Sequence, residues 1–394
     1  MRPAKDTGPL AGLKVIELAA MGPVPFAGML LADLGAEVVR VDRLVPGDLG
    51  ISRAASAELR GRNKRSLALD LKAPGGRAIF LDLAAGADVV LDGWRPGVAE
   101  RLGVGYEACA ARNPRLVYGK ATGWGSDGPL AMTAGHDINY IALTGALSMI
   151  GTAGGPPVPP LNLLGDYGGG ALYLAFGVLA AVLEAQRSGQ GQVVDAAMVD
   201  GVTSLLTVFY GFAATGDAMA PRGENILDGG APWYTTYPTA CGGWLAVGCI
   251  EARFYAQFLA RLGLDPNSLP EQNDRAGWPL LRARIGGVLA QHSRTHWEAV
   301  FEGSDACVTP VLSLSEAADH PHNRARGVTE VFAGTRHPAP APRFSRSRPT
   351  LRLPPPAEGA QSAAVLGDWG FDEARIRAAF EAGLIASRAP VAQR

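Results

Sequence analysis

Cysteine is scarce in this chain. The four thiols among 394 residues, Cys109, Cys241, Cys249 and Cys307, form no C-x-x-C pair. That spacing excludes a disulfide framework and leaves them as reduced, small core residues, which suits a cytoplasmic protein. An excess of one charge is also missing: 36 Lys and Arg stand against 37 Asp and Glu, so nothing in the composition supplies the cationic face that a nucleic-acid binder needs. No run is continuously apolar over the roughly 18 residues that a membrane span requires. MRPAKDTGPL lacks the apolar stretch of a signal peptide, and VAQR is no recognised address. Histidine is rare and unevenly spread. His292, His296, His320, His322 and His337 lie in polar or proline-containing stretches without metal spacing, so no metal is expected. The first βα turn, MGPVPFAG, is not G-x-G-x-x-G. Pro23 and Pro25 each remove an N–H that a pyrophosphate would use, so no nicotinamide or flavin cofactor is expected.

What is present is globular: 47% of residues are hydrophobic and 19% charged, enough apolar material for two cores in a chain of this length. LKVIELA (13–19), FAGMLLADLGA (26–36) and EVVRVD (37–42) read as strand, helix and strand. The alternation recurs through SLALDL, GGRAIFLDLAAGA, DVVLDGW and PRLVYGKATG. Such a series predicts an α/β fold with a parallel sheet and helices on both faces. DYGGGALYLAFGVLAAVLEAQRSGQ (166–190) reads as a long buried helix. YTTYPTACGGWLAVGCI (234–250) reads as two strands about the turn Cys241-Gly242-Gly243. The expected organisation is a large domain over 1–195, a linker helix over 196–233 and a smaller α+β domain over 234–334. A proline-rich connector with a closing amphipathic helix follows over 335–394, returning to the large domain.

Several features invite chemistry. Arg40, Arg43, Arg60, Arg62, Lys64, Arg65, Lys72, Arg95 and Arg101 fall at or near predicted strand ends. In an open α/β sheet that is where ligands bind, so the group suggests a polyphosphate, although any single arginine is more simply a solvated surface residue. His136 is the only histidine before position 292 and precedes a helical run. Its neighbour Asp137 is most simply the cap of that helix. Thirty positions later Asp166 also reads as a cap, but Gly168, Gly169 and Gly170 after it are poor helix formers. Their presence means that something approaches closely there, or that the helix packs tightly on a neighbour. An imidazole and a carboxylate facing one cavity, near free amides, would suit removal of a proton beside a carbonyl. Glu251, at a strand-to-helix junction, is either a third member or a glutamate placed for the helix dipole. Tyr140, Tyr167, Trp233, Tyr234 and Tyr237 could line an apolar groove or simply be core.

The ordered segments GPLAGLKVIELAAMGPVPFAGMLLADLGAEVVRVDR, RNKRSLALDLK, DGWRPGVAERLG, TGWGSDGPLAMTAGHDINY, PVPPLNLLGDYGGG, GQGQVVDAAMVDG and GAPWYTTY resemble the family III coenzyme A transferases over nearly the whole chain. The arginine-rich stretch near 52–65 and the tail after about 340 depart from the pattern. The resemblance implies a Rossmann-like large domain and an interlocked homodimer. It implies an acyl-CoA thioester as substrate, with CoA part of that substrate and no further cofactor. It assigns proton transfer to His136 and Asp166, with Glu251 as the acidic partner of His136. It assigns CoA binding to Arg43, to Leu69, Asp70, Leu71 and Lys72, to Gly93, Trp94, Arg95, Pro96 and Gly97, and to Arg101, Gly135, Asp137 and Tyr140. The histidine of GHDINY points to the racemase branch, which interconverts the two hands of 2-methylacyl-CoA. The alternatives are a transferase using Asp166 as nucleophile and a noncatalytic acyl-CoA-binding protein.

Overall fold

The computed structural model describes residues 8–45, 54–215 and 220–387. The N-terminal seven residues and the VAQR end, on which the sorting expectations rest, lie outside them. The chain falls into two compact units, one from residues up to 144, 161–206 and 327 onward, the other from 145–160 and 207–326.

The first unit is built on a seven-stranded sheet. Strands β1 (Lys14–Leu18), β2 (Glu37–Asp42), β3 (Lys64–Leu69), β4 (Val89–Asp92), β5 (Val117–Thr122) and β6 (Val193–Ala197) run parallel in the order 3-2-1-4-5-6. The short strand Ile385–Ala386 closes the β3 edge in antiparallel sense. Parallel strands covered on both faces read as near-continuous apolar runs, and Val15, Ile16, Val39, Val89, Val90 and Val117 are indeed fully buried. Helices α1 (Pro23–Asp33), α2 (Pro74–Ala85), α3 (Val98–Arg101) and α4 (Tyr106–Ala110) occupy the crossovers. Proline opens α1 and α2 within their first turns, where its missing N–H costs nothing.

After β5 come the short α5 (Asp137–Leu143), a π-helical stretch over Leu163–Leu172, its continuation α6 (Tyr173–Ser188) and, beyond β6, α7 (Met198–Leu205). The span Leu163–Ser188 is the one helix among the described residues long and apolar enough to cross a membrane. Half of its most apolar window is buried inside the fold, where Leu174 and Val178 pack with Val89 and Val117 of the sheet.

The end of the chain returns to this unit. Residues Thr329–Phe332 and Thr335–Pro338 form a hairpin, so the irregular connector starts a few residues later than the prolines suggest. Asn63 then receives the backbone N–H groups of Arg352 and Leu353 on its side-chain oxygen, at 2.6 and 3.1 Å. Helices Ser362–Asp368 and Glu373–Glu381 follow, and Val365, Leu366 and Ala379 join the core built on β1 to β4.

The second unit holds an antiparallel sheet, β7 (Tyr234–Pro238), β8 (Trp244–Gly248) and β9 (Val308–Pro310). Its core joins Trp233, Phe258, Trp278, Leu281 and Ile285. Trp233 and Tyr237 are packing residues at 1% and 3% exposure and not the walls of a groove.

Candidate active site

The strand order reverses between β1 and β4, and in an open α/β sheet the carboxyl ends on either side of that reversal form the binding crevice. Here the two loops are tied together. The Trp94 indole donates to the Ala19 carbonyl at 2.9 Å, and the Trp94 amide donates to Asp92 Oδ1 at 2.8 Å. Gly93 sits against Ala20 and Val24, where an added Cβ would lie 2.9 Å from each. The turn Gly93-Trp94-Arg95-Pro96-Gly97 is therefore a fixed rim, with the Arg101 guanidinium lying over Gly97 at the start of α3.

Asp92 beneath this rim is 4% exposed, and burial pushes its carboxyl up to about 6. The hydrogen bonding agrees. The single Tyr118 hydroxyl proton faces both Asp92 Oδ2 and the Val104 carbonyl, each at 3.2 Å. If Asp92 carries the proton and gives it to Tyr118, both acceptors are satisfied.

The cations sort into two groups, which corrects the reading of one continuous basic rim. Arg40 pairs with Asp42, Arg60 with Glu58, Arg62 with Asp33, Lys64 with Glu17, and Arg65 with Glu37 and Asp368. The Arg62 and Lys64 pairs are wholly buried, with Lys64 Nζ 2.6 Å from Glu17 and 2.8 Å from the Pro25 carbonyl. These five brace the fold. Arg43 after β2, Lys72 after β3, Arg95 after β4 and Arg101 in α3 are exposed, and none is ion-paired with a described residue. They hold free positive charge at the carboxyl edge. Leu69 is core, and Leu71 packs against it. Asp70 turns its carboxylate to the Lys72 amide at 2.9 Å, so Lys72 is the residue of that stretch whose side chain is left to the rim.

His136 stands immediately before α5, exposed, with its amide donating to Asn139 Oδ1 at 3.0 Å. Asp137 is not the cap expected from its position. Its buried carboxylate reaches across to the π-helix and accepts the Asp166 amide at 2.7 Å, with Gly165 pressed against it. Burial raises the Asp137 carboxyl, opposed by that amide. Asp166 is correspondingly not an N-cap but the fourth residue of the π-helix, half-buried, its Oδ2 accepting from the Asn162 amide group at 3.0 Å. Gly22, at φ 72°, opposes Asp166 Oδ1 from the start of α1; a Cβ there would lie 3.4 Å away.

The glycine run serves packing. Gly169 and Gly170 are buried against α7 and α1, and Gly201 of α7 meets Gly169 backbone to backbone, so that a Cβ on Gly201 would overlap the Gly169 carbonyl. Of the two explanations for those glycines, close helix contact accounts for Gly169 and Gly170. Gly135 accepts a hydrogen bond from the Tyr140 hydroxyl, and Trp124 packs edge-on to the Tyr140 ring at 4.7 Å. Tyr140 senses the charges of both Asp166 and Arg95. Tyr167, next to Asp166, stacks on Phe26 of α1 at 4.3 Å. Glu251 belongs to the second unit, exposed, immediately before helix Ala252–Leu262, with no side-chain bond to that helix. Among the described residues no three His, Cys, Asp or Glu cluster as metal ligands.

Sequence reasoning missed Asp92 and the Glu17–Lys64 pair. A charged residue inside VIEL, Lys64 just ahead of SLALDL and Asp92 closing VVLD were the available signals.

The model of CoA-transferase family III matches residues 10–362. The chain belongs to CoA-transferase family III. Among relatives, the alpha-methylacyl-CoA racemase of Mus musculus is 46% identical over 371 residues, 93% of this chain and 95% of the relative. That of Homo sapiens is 43% identical over 370 residues, 93% and 95%. Among solved structures, a CAIB/BAIF family protein from Brucella suis superposes with a TM-score of 0.80 at 25% identity, over 92% of this chain and 99% of the other. This chain thus shares its α/β fold with that solved protein.

Proposed function

We propose that this chain is an isomerase that interconverts (2R)- and (2S)-2-methylacyl-CoA thioesters. The carrying observation is the Asp137–Asp166 hydrogen bond, which joins the start of α5, where His136 stands, to the helix that bears Asp166. Similarity to two racemases over nearly the whole chain supports the same reading. Arg43, Lys72, Arg95 and Arg101, with the main chain of 69–72 and 93–97, hold the CoA phosphates. Gly135, Asp137 and Tyr140 flank its thioester end.

For one hand, neutral His136 takes the proton from C2 and the C–H electron pair moves to the thioester oxygen as an enolate. Protonated Asp166 then delivers its proton to C2 from the opposite face. The other hand uses the reverse pairing, so both protonation states are needed. The enolate oxygen falls to the Asp137 and Ile138 amides that open α5, since the next two, Asn139 and Tyr140, already donate to the His136 carbonyl. Glu251, supplied by the second unit of a partner copy, is the acidic partner of His136. The protein is then an interlocked homodimer. In support, Leu172, Phe176 and Leu183 stand 52%, 75% and 62% exposed along one helix of the single chain, more apolar surface than a monomer keeps without use. Four free thiols suit a cytoplasmic setting.

The deciding experiment incubates one pure hand of a 2-methylacyl-CoA in heavy water. Deuterium entering C2 together with loss of optical purity, and with no acceptor present, is the expected result. Transfer of CoA only when a free carboxylic acid is added would instead make the protein a transferase. Binding with neither reaction would make it a carrier.

A further inference from the structure

Asp137 is an odd residue to find where it is. It is 7% exposed, it forms no ion pair with a described residue, and its Oδ1 is buried without a hydrogen-bond partner. A buried carboxylate lacking a cation loses hydration that one hydrogen bond does not fully return. What the aspartate provides is reach. Its Oδ2 meets the Asp166 amide on another element, and Gly165 has no side chain because the carboxylate occupies that space. Its own backbone carries His136 on the preceding peptide, so one side chain sets the separation of two groups thirty positions apart in sequence.

Resting on the racemase reading above, we infer that Asp137 is the positioning residue of the proton-transfer pair and decides that a deprotonated C2 is inverted and not merely exchanged. Inversion needs both carriers in place at once, one on each face. When one carrier is displaced, the other still removes the proton and returns one to the same face after its proton has exchanged with solvent. The substrate then gains deuterium with its configuration retained.

The test follows deuterium into the starting hand and into the inverted hand separately, by chiral separation and mass spectrometry, for each pure hand in heavy water. In Asp137→Ala, inversion should fall about 100-fold, the scale of a one-ångström misplacement. For at least one hand, deuterium uptake with retention should fall far less, so that the ratio of exchange to inversion rises. Asp137→Asn keeps an oxygen to accept the Asp166 amide and should invert within about 5-fold of the unaltered protein, a loss of about 1 kcal/mol. If the alanine protein does not fold, Asp137→Ser, too short to span to Asp166, carries the same comparison. Equal loss of exchange and inversion for both hands overturns the inference, as does an alanine or serine variant that inverts normally or an asparagine variant that fails to. Unaltered protein that neither exchanges nor inverts overturns the racemase reading itself, a result distinct from all of these.

Discussion

Replacing Asp92 by asparagine should make the protein more stable, by a margin that depends on pH. The carboxyl titrates at about 6 in the fold against an ordinary 3.8, so its neutral form is the one the fold prefers. A raised carboxyl contributes its stability in full below pH 3.8 and loses it as pH rises through 6. At about 1.4 kcal/mol per unit, the loss totals about 3 kcal/mol above pH 7, roughly half of it arising between pH 5 and 8. The asparagine side chain cannot ionise but keeps the contacts. Its carbonyl accepts the Trp94 amide, its NH2 donates to the Tyr118 oxygen, and Tyr118 donates to the Val104 carbonyl. The measurement is urea unfolding of both proteins at several pH values, taking the difference at each so that other titrations cancel. That difference should grow in favour of the variant by about 1 to 1.5 kcal/mol from pH 5 to 8. A difference independent of pH, or one growing in favour of the unaltered protein, would show that Asp92 is ionised in the fold and refute the proton placement.

Other outcomes follow from the same geometry. Gly201→Ala forces a methyl into the Gly169 carbonyl and should cost about 3 kcal/mol or more, read as a lowered urea midpoint or as insoluble protein. Arg101→Ala removes an unpaired rim cation and should raise KM for the CoA thioester about tenfold, the worth of one charge-assisted hydrogen bond, while leaving kcat nearly unchanged in steady-state assays. His136→Ala and Asp166→Ala should each lower inversion by at least about 1000-fold, measured by loss of optical purity, since each removes a proton carrier. Intact inversion in either variant would end the two-carrier scheme.

The parallel sheet was legible because buried strands must be apolar on both faces, and VIEL and EVVRVD have nowhere else to go. The site was legible only as an inventory. Helix-capping rules are local, so they assign Asp137 to the helix it begins, whereas its partner amide lies 29 residues on. The glycine run announced a close approach without saying what approaches, because Gly201 is brought to Gly169 by the crossover through β6. The basic residues looked alike in one dimension. Arg62 and Lys64 are neutralised by Asp33 and Glu17, which come from a helix and a strand far earlier in the chain, and nothing in the spacing separates them from Arg43 or Arg101.

The antiparallel pairing of Ile385–Ala386 with β3, and the clasp of Asn63 on 352–353, bear on how the molecule is made. A ribosome that has delivered the first two hundred residues has produced an α/β sheet with an open β3 edge, and such edges recruit strands from other chains. Completion waits for Ile385–Ala386 to emerge. Nascent chains truncated before about residue 385 should therefore be clients of chaperones or proteases.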